Sequence, residues 1–167
     1  YHWSRLAPHT RTMVVLEMDA AASGASGRNE GVIVMGRYYG LVFKTVRRHA
    51  DTARPDLSPE DRDRIAHQFA TVYVKAAYKN GDLIEQTIAA EGFHCDYARK
   101  GWVQAIDPDI QEWLAESVRM GRERGFTDWT AVTPDEPLKL SGIRVTHNAA
   151  FSRRAATFHP AEWVWCL

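Results

Sequence analysis

The sequence carries no net charge: 21 basic residues meet 21 acidic ones over 167 positions. Without a field of one sign, binding to nucleic acid or to an anionic membrane surface by bulk charge is excluded. No run approaches the roughly 18 apolar residues of a membrane-spanning helix. The first residues also lack the basic, apolar, small-residue order of a secretion signal. Only two cysteines occur, Cys95 and Cys166, and their spacing matches no zinc or redox motif. They read as ordinary thiols of a reducing compartment, so a cytoplasmic location is expected, with one long-range disulfide as the alternative. Repeats and low-complexity tracts are missing, as are a Gly-x-Gly-x-x-Gly turn and the lysine of a phosphate-binding P-loop.

What is present suits one ordinary domain by length, with 45% hydrophobic residues to build a core. Thr12 to Glu17 is a short apolar, β-branched run ending on an acid, the pattern of a buried strand entering a loop. Beyond Tyr38, the residues Leu41, Val42, Thr45 and Val46 predict a helical stripe closed by Arg47, Arg48 and His49, with a linker from Ala50 to Leu57. Ser58-Pro59-Glu60-Asp61 is a strong helix start: a serine cap, proline at the first helical position and acids in the first turn. Ile65, Phe69, Val72, Tyr73, Ala76 and Ala77 trace the expected apolar face of that helix, which resumes at Leu83, Ile84, Thr87 and Ile88, bends near Asn80-Gly81 and stops at Gly92.

Phe93 to Ile106 predicts a hairpin or two short strands about Lys100-Gly101. A helix starting at Asp107-Pro108-Asp109 and stopping at Gly125 follows, with Ile110, Trp113, Leu114, Ser117, Val118 and Arg119 at helical spacing. A strand is expected at Phe126 to Val132. Thr133 to Glu136 opens a helix that Pro137 and Gly142 keep short, and Ala161 to Trp165 opens another near the end of the sequence. Trp102, Trp113 and Trp129 are expected core anchors, whereas Trp163 and Trp165 are expected to be partly exposed and to promote association.

Between Glu17 and Val32 lies Ser23-Gly24-Ala25-Ser26-Gly27-Arg28-Asn29-Glu30-Gly31. Its glycines break regular structure, and its Ser and Asn side chains bond to local backbone, which predicts a compact turn with exposed amides able to face an anion. A carboxylate ending a strand just before such a turn has the parts of a nucleotide site, an acceptor for ribose hydroxyls and donors for a pyrophosphate. A strand followed by a glycine-rich loop is also common in proteins that bind nothing.

Val14 to Glu17 followed by Ser23 to Gly31 resembles the second strand and following loop of flavin-dependent oxidoreductases of the D-amino-acid, glycine and sarcosine oxidase family, whose loop runs close to Gly-Ala-Ser-Gly-Arg-Asn-Gly-Gly. Two later segments resemble the same family in the same order. Cys95 to Trp102 is similar to its Cys-Asp-aromatic-x-Arg-x-Gly-Trp strand pair, and Ala155 to Ala161 to its Ala-x-Thr-x-x-Pro-Ala step into a helix.

The resemblance implies a mixed α/β and α+β fold: part of a Rossmann-like FAD-binding domain over 1–48, and helices and antiparallel substrate-domain strands over 49–167, incomplete at both ends. It implies FAD as cofactor, held by Glu17 at the adenosine ribose and by Ser23, Ala25, Ser26, Gly27, Arg28, Asn29 and Gly31 along the pyrophosphate and flavin ring. Glu30 departs from the family run, where glycine is usual, and is expected either to pair with Arg28 or to point into solvent. The implied chemistry is hydride transfer from the carbon beside an amine nitrogen to FAD, on a small amine or amino acid, with an imine product that water hydrolyses. No catalytic side chain and no metal is implied. Arg37, Tyr38, Tyr39, Arg99 and His147 are candidate substrate contacts, each with a packing or ion-pair reading beside it. Tyr1 to Arg11 lacks the family's glycine turn, so the isolated chain is expected to be colourless. Two other readings compete: a non-catalytic scaffold that associates through exposed apolar surface, and a phosphate or mononucleotide module built on the loop.

Overall fold

The computed structural model describes residues 14, 16–36, 39–105, 111–147 and 149–167. It is a mixed α/β architecture with two small antiparallel sheets. The elements run β1 (Val32–Ile33), α1 (Tyr39–Ala53), α2 (Pro59–Glu91), β2 (Trp102–Ala105), α3 (Gln111–Glu123), β3 (Trp129–Val132), α4 (Asp135–Ser141), β4 (Ala149–Ser152), β5 (Ala156–Thr157) and α5 (Pro160–Cys166). Every strand pair among the described residues is antiparallel.

Helix α2 forms where local chemistry demands it. Ser58 Oγ accepts from the Asp61 amide at 3.1 Å, Pro59 occupies the first turn, and Glu60 and Asp61 face the positive end of the helix dipole. Gly92, left-handed at φ 65°, closes the far end by donating to Ile88 O. The buried face differs from the expected one. Ala66, Ala70, Val74, Tyr78 and Gly81 point inward, while Phe69, Val72 and Tyr73 are exposed. Small residues let α1 approach α2 closely, and bulk alone pointed to the wrong stripe. Gly81 does not interrupt the helix: a Cβ there would meet Met35 Sδ at 2.2 Å, so the glycine makes room for the core.

Helix α1 runs on to Ala53, past the expected basic stop, which shortens the linker to four residues, 54–57. Ion pairs explain the continuation, because Arg47 holds both Asp51 one turn on and Asp63 on α2. The inward stripe is Tyr39, Gly40, Val42, Phe43, Val46 and Ala50, whereas Leu41 and Thr45 face outward. Gly40 lies against Ser117 of α3, donating its amide to Ser117 Oγ at 3.0 Å.

Of the hairpin or two short strands expected about Lys100-Gly101, the hairpin does not form, and strand β2 and a bridge at Ala98 flank the glycine. Ala98 instead bridges Thr157, and β2 pairs with β4 from Trp102↔Ser152 to Ala105↔Ala149. Gly101, at φ 87°, turns the chain from one pairing into the other. The three-stranded sheet has the order β2-β4-β3, so its centre is β4, which sequence patterning did not identify. Strand β3 starts at Trp129, three residues later than expected. The start expected at Asp107-Pro108-Asp109 lies outside the described residues; the inner face of α3 carries Leu114, Ser117, Val118 and Met120, and Arg119 instead pairs with Glu123 in solvent.

Two core clusters result. Met35, Tyr39, Ala70, Val74, Tyr78 and Met120 join α1, α2 and α3, while Leu114, Val118, Trp129 and Ala150 join α3 to the sheet, with Trp102 and Trp113 packed against them. The segment after β1 links the two, since Ile33 packs on the first and Val34 on the second. Trp129 Nε1 donates to Met35 O at 2.6 Å. No helix among the described residues is long and apolar enough to cross a membrane.

Candidate functional site

Of the strand expected at Thr12–Glu17, residues 12, 13 and 15 lie outside the described residues. Val14, Leu16 and Glu17 carry no strand pairing and are exposed, Leu16 at 91%. A strand of that composition needs neighbours on both faces, and no described strand flanks it. The Glu17 carboxylate turns back locally, accepting from the Met18 amide at 2.8 Å and the Asp19 amide at 3.4 Å.

The loop that follows is compact, as its composition predicts. Ser23 N donates to Ala20 O at 2.9 Å, Gly27 N to Gly24 O at 3.1 Å and Arg28 N to Ala25 O at 3.4 Å. Asn29 ties the turn together: Nδ2 donates to Ala25 O at 3.1 Å and Ser26 O at 2.8 Å, while Oδ1 accepts from Gly31 N at 2.9 Å. Four of the amides expected to face an anion, those of Ser23, Gly27, Arg28 and Gly31, are therefore spent within the loop. Two glycines are required by close approach. A Cβ on Gly27 would stand 2.1 Å from Ala22 O, and one on Gly31, at φ 64°, would stand 2.0 Å from Phe158 O. Gly24 has open space. Ala25, Ser26, Arg28, Asn29 and Glu30 are exposed, and Arg28, Asn29, Glu30 and Val32 line a shallow hollow beside the turn. Arg28 and Glu30 form no ion pair with each other, so of the two expectations for Glu30 solvent exposure holds.

Three segments far apart in sequence meet at this loop. Phe158 N donates to Gly31 O at 2.8 Å, and β1 continues the contact as Val32↔Thr157 and Ile33↔Ala156. Ala98 and Thr157 exchange both backbone hydrogen bonds, at 2.8 and 2.9 Å, and His159 N donates to Cys95 O at 2.7 Å. Trp165 Nε1 reaches Ala21 O at 3.0 Å. Trp163 packs edge-on against Phe93 and Phe158, and Trp165 is 63% exposed. His159 has a structural role, its ring nitrogen accepting from the Glu162 amide at 3.2 Å as the cap of α5. Cys95 and Cys166 are free thiols; burial first, and then Cys166, pushes the Cys95 thiol up.

The other candidate contacts divide. Arg37 and Tyr38 lie outside the described residues. Tyr39 is fully buried, its hydroxyl 3.2 Å from both His67 Nδ1 and Thr71 Oγ1, and so packs the core. Arg99 pairs with Glu85 at 2.9 Å and more loosely with Asp82 at 3.6 Å, the ion-pair reading. His147 bonds with its neighbour Thr146 at 2.8 Å.

Sequence reasoning missed a polar cluster built on Asp128. Oδ1 accepts from the Arg153 and Arg154 amides at 3.1 and 3.2 Å, and Oδ2 from the Ser152 hydroxyl and, at 3.4 Å, the Tyr78 hydroxyl. Arg154 covers the Tyr78 ring at 4.5 Å and pairs with Asp82 at 2.6 Å. Burial, then the Asp128 charge, pushes the Tyr78 phenol well above its usual range, and the Arg154 hydrogen bond holds the Asp82 carboxyl low. Lys75, Lys79 and Thr127 complete a cleft of about 500 Å³ over this cluster. Residues 78, 128 and 152–154 share no sequence spacing that could have signalled it.

Among the described residues, no cluster of His, Cys, Asp or Glu is arranged to hold a metal ion. Comparison with curated proteins gives no match. The FAD dependent oxidoreductase family model matches residues 1–167, the full length given. The chain belongs to the FAD-dependent oxidoreductase family.

Proposed function

We propose that this chain contributes one wall of the FAD site in an oxidoreductase of the D-amino-acid, glycine and sarcosine oxidase type, acting on the C–N bond of a small amine or amino acid. The observation that carries the reading is the convergence on β5 of all three segments that resemble that family: 23–31, 95–102 and 155–161. A wall for an extended dinucleotide needs a fixed, solvent-facing edge, and the Asn29-locked turn, backed by Phe158, is one.

The residues present fit FAD in part. Ser26 and Arg28 face outward and supply a hydroxyl and a guanidinium suited to the pyrophosphate. Ala25 and Gly24 keep the turn low beside them. Asn29, Gly27 and Gly31 act on the loop itself, holding its shape, and Ser23 does so through its amide. Glu17 keeps one carboxylate edge for a ribose hydroxyl while Oε1 takes the Met18 and Asp19 amides. FAD, when bound, supplies the acceptor for a hydride from the carbon beside the amine nitrogen. The chain's own part is binding and orientation, with residues 1–48 assigned to the cofactor and 49–167 mainly to the substrate side. Helix α1 runs across that division.

The test is a flavin titration of the protein carrying its natural flanking sequence. Arg28→Ala is expected to weaken FAD binding roughly tenfold, the loss of one charge-assisted contact. FAD affinity unchanged in Arg28→Ala and Ser26→Ala alike would remove the loop from the cofactor site.

A further inference from the structure

We propose that a shallow cleft between α2 and the end of α3, lined by Arg64, His67, Gln68, Thr71, Val72 and Arg124, binds a phosphate group, free or as a phosphomonoester. Its lining holds two guanidinium groups, an imidazole and an amide, and no acid. At about 500 Å³ it has room for a phosphate and a small organic body.

The neighbouring charges leave this site cationic. Asp63 is held by Arg47 and Glu123 by Arg119, and Asp61 takes one nitrogen of Arg64 at 2.6 Å. Arg124 has no ion-pair partner among the described residues. The imidazole lines the cleft in a fixed pose: Phe43 stacks on its ring at 4.3 Å and Tyr39 Oη sits 3.2 Å from Nδ1. Thr71 Oγ1 donates to His67 O at 2.8 Å and fixes the turn beneath. A planar fork from each arginine and a ring N–H suit an oxyanion that accepts from several directions.

Burial, then the Arg124 charge, holds the His67 imidazole below its ordinary range, with Asp63 and Glu123 partly opposing. The groups around the ring are Tyr39 on α1, Asp63 and Arg64 on α2, and Glu123 and Arg124 at the end of α3. An anion between Arg124 and His67 reverses the arginine's effect, so its binding and protonation of His67 reinforce one another.

The test follows the His67 ring C–H resonance by NMR through pH titrations, in sodium phosphate and in sodium chloride at equal ionic strength. Saturable binding of phosphate that raises the His67 midpoint, with no such change in chloride, is the expected result. Glycerol 2-phosphate in a third series distinguishes the sources: tighter binding than inorganic phosphate marks a phosphomonoester site, and equal binding a site for the free ion. Arg124→Met, at an exposed position, is expected to weaken phosphate at least roughly tenfold, while Arg153→Met, which removes an equal charge elsewhere, leaves it unchanged. Equal effects of chloride and phosphate, or wild-type affinity in Arg124→Met, would overturn the proposal.

Discussion

Replacing Asp128 by alanine removes the acceptor on which four donors converge, and the cost follows from where those donors sit. The Ser152 hydroxyl is fully buried, so losing its acceptor leaves an orphan worth about 1–3 kcal/mol. The Arg153 and Arg154 amides lie at a turn that water reaches, and their loss adds about 0.5–1 kcal/mol each. The Tyr78 contact, at 3.4 Å, is too long to add much. The total is about 2–5 kcal/mol, which at a mid-range urea dependence of about 2 kcal/mol/M lowers the unfolding midpoint by roughly 1–2.5 M. Asp128→Asn keeps the shape but turns an NH2 toward one pair of donors, so its midpoint should fall between those of the wild type and Asp128→Ala. Adding Ser152→Ala to Asp128→Ala removes the orphan, and the double variant should be more stable than the sum of single costs implies. A stability for Asp128→Ala within about 0.5 kcal/mol of wild type, or strict additivity with Ser152→Ala, would refute the cluster as a stabilising unit.

Other outcomes follow from the same structure. The folded state holds the Tyr78 proton above its ordinary titration near pH 10; this contribution is complete below about pH 10 and is lost as pH rises through the folded value, so Tyr78→Phe should flatten the alkaline arm of a stability-versus-pH curve. Ser117→Ala strips the acceptor from the buried Gly40 amide and should cost about 1–3 kcal/mol by chemical denaturation; a cost near zero would show that water replaces it. Gly31→Ala sets a methyl against Phe158 O at φ 64° and should cost at least about 2 kcal/mol, read as a lower thermal midpoint, whereas Gly24→Ala, in open space, should be close to neutral. Asn29→Ala should lower flavin affinity more than global stability, because its three bonds shape an exposed turn, and equal losses in both would assign Asn29 a purely structural role.

Signals confined to a few neighbouring residues were legible in the sequence. The Ser58-Pro59 start and the Gly92 and Gly142 stops appear where they were expected because capping is satisfied within one turn. The inward face of α2 is not the one hydrophobic bulk predicts: helices in close contact bury Ala66, Ala70 and Gly81, which bulk ranks below Phe69 and Val72. Strand β4 is Ala149-Ala150-Phe151-Ser152, poor in β-branched residues, and it is a strand because β2 and β3 flank it, a contact some 50 residues distant from β2 in sequence. At the candidate site the turn was readable, yet the use of its amides was not: the sequence marks Asn29 as able to bond locally and leaves open which carbonyls it takes. The Asp128 cluster and the His67 cleft join residues from separate elements, so only folding makes them neighbours.

The proposed role of this chain is as part of an amine-oxidising flavoprotein. Its most direct test is the visible spectrum of the protein purified with its natural flanking sequence, recorded anaerobically before and after addition of a panel of primary amines, secondary amines and amino acids. A yellow flavin band that at least one of these bleaches and that air restores is the expected result. A folded protein that takes up no FAD, or a bound flavin that no amine bleaches, would contradict it.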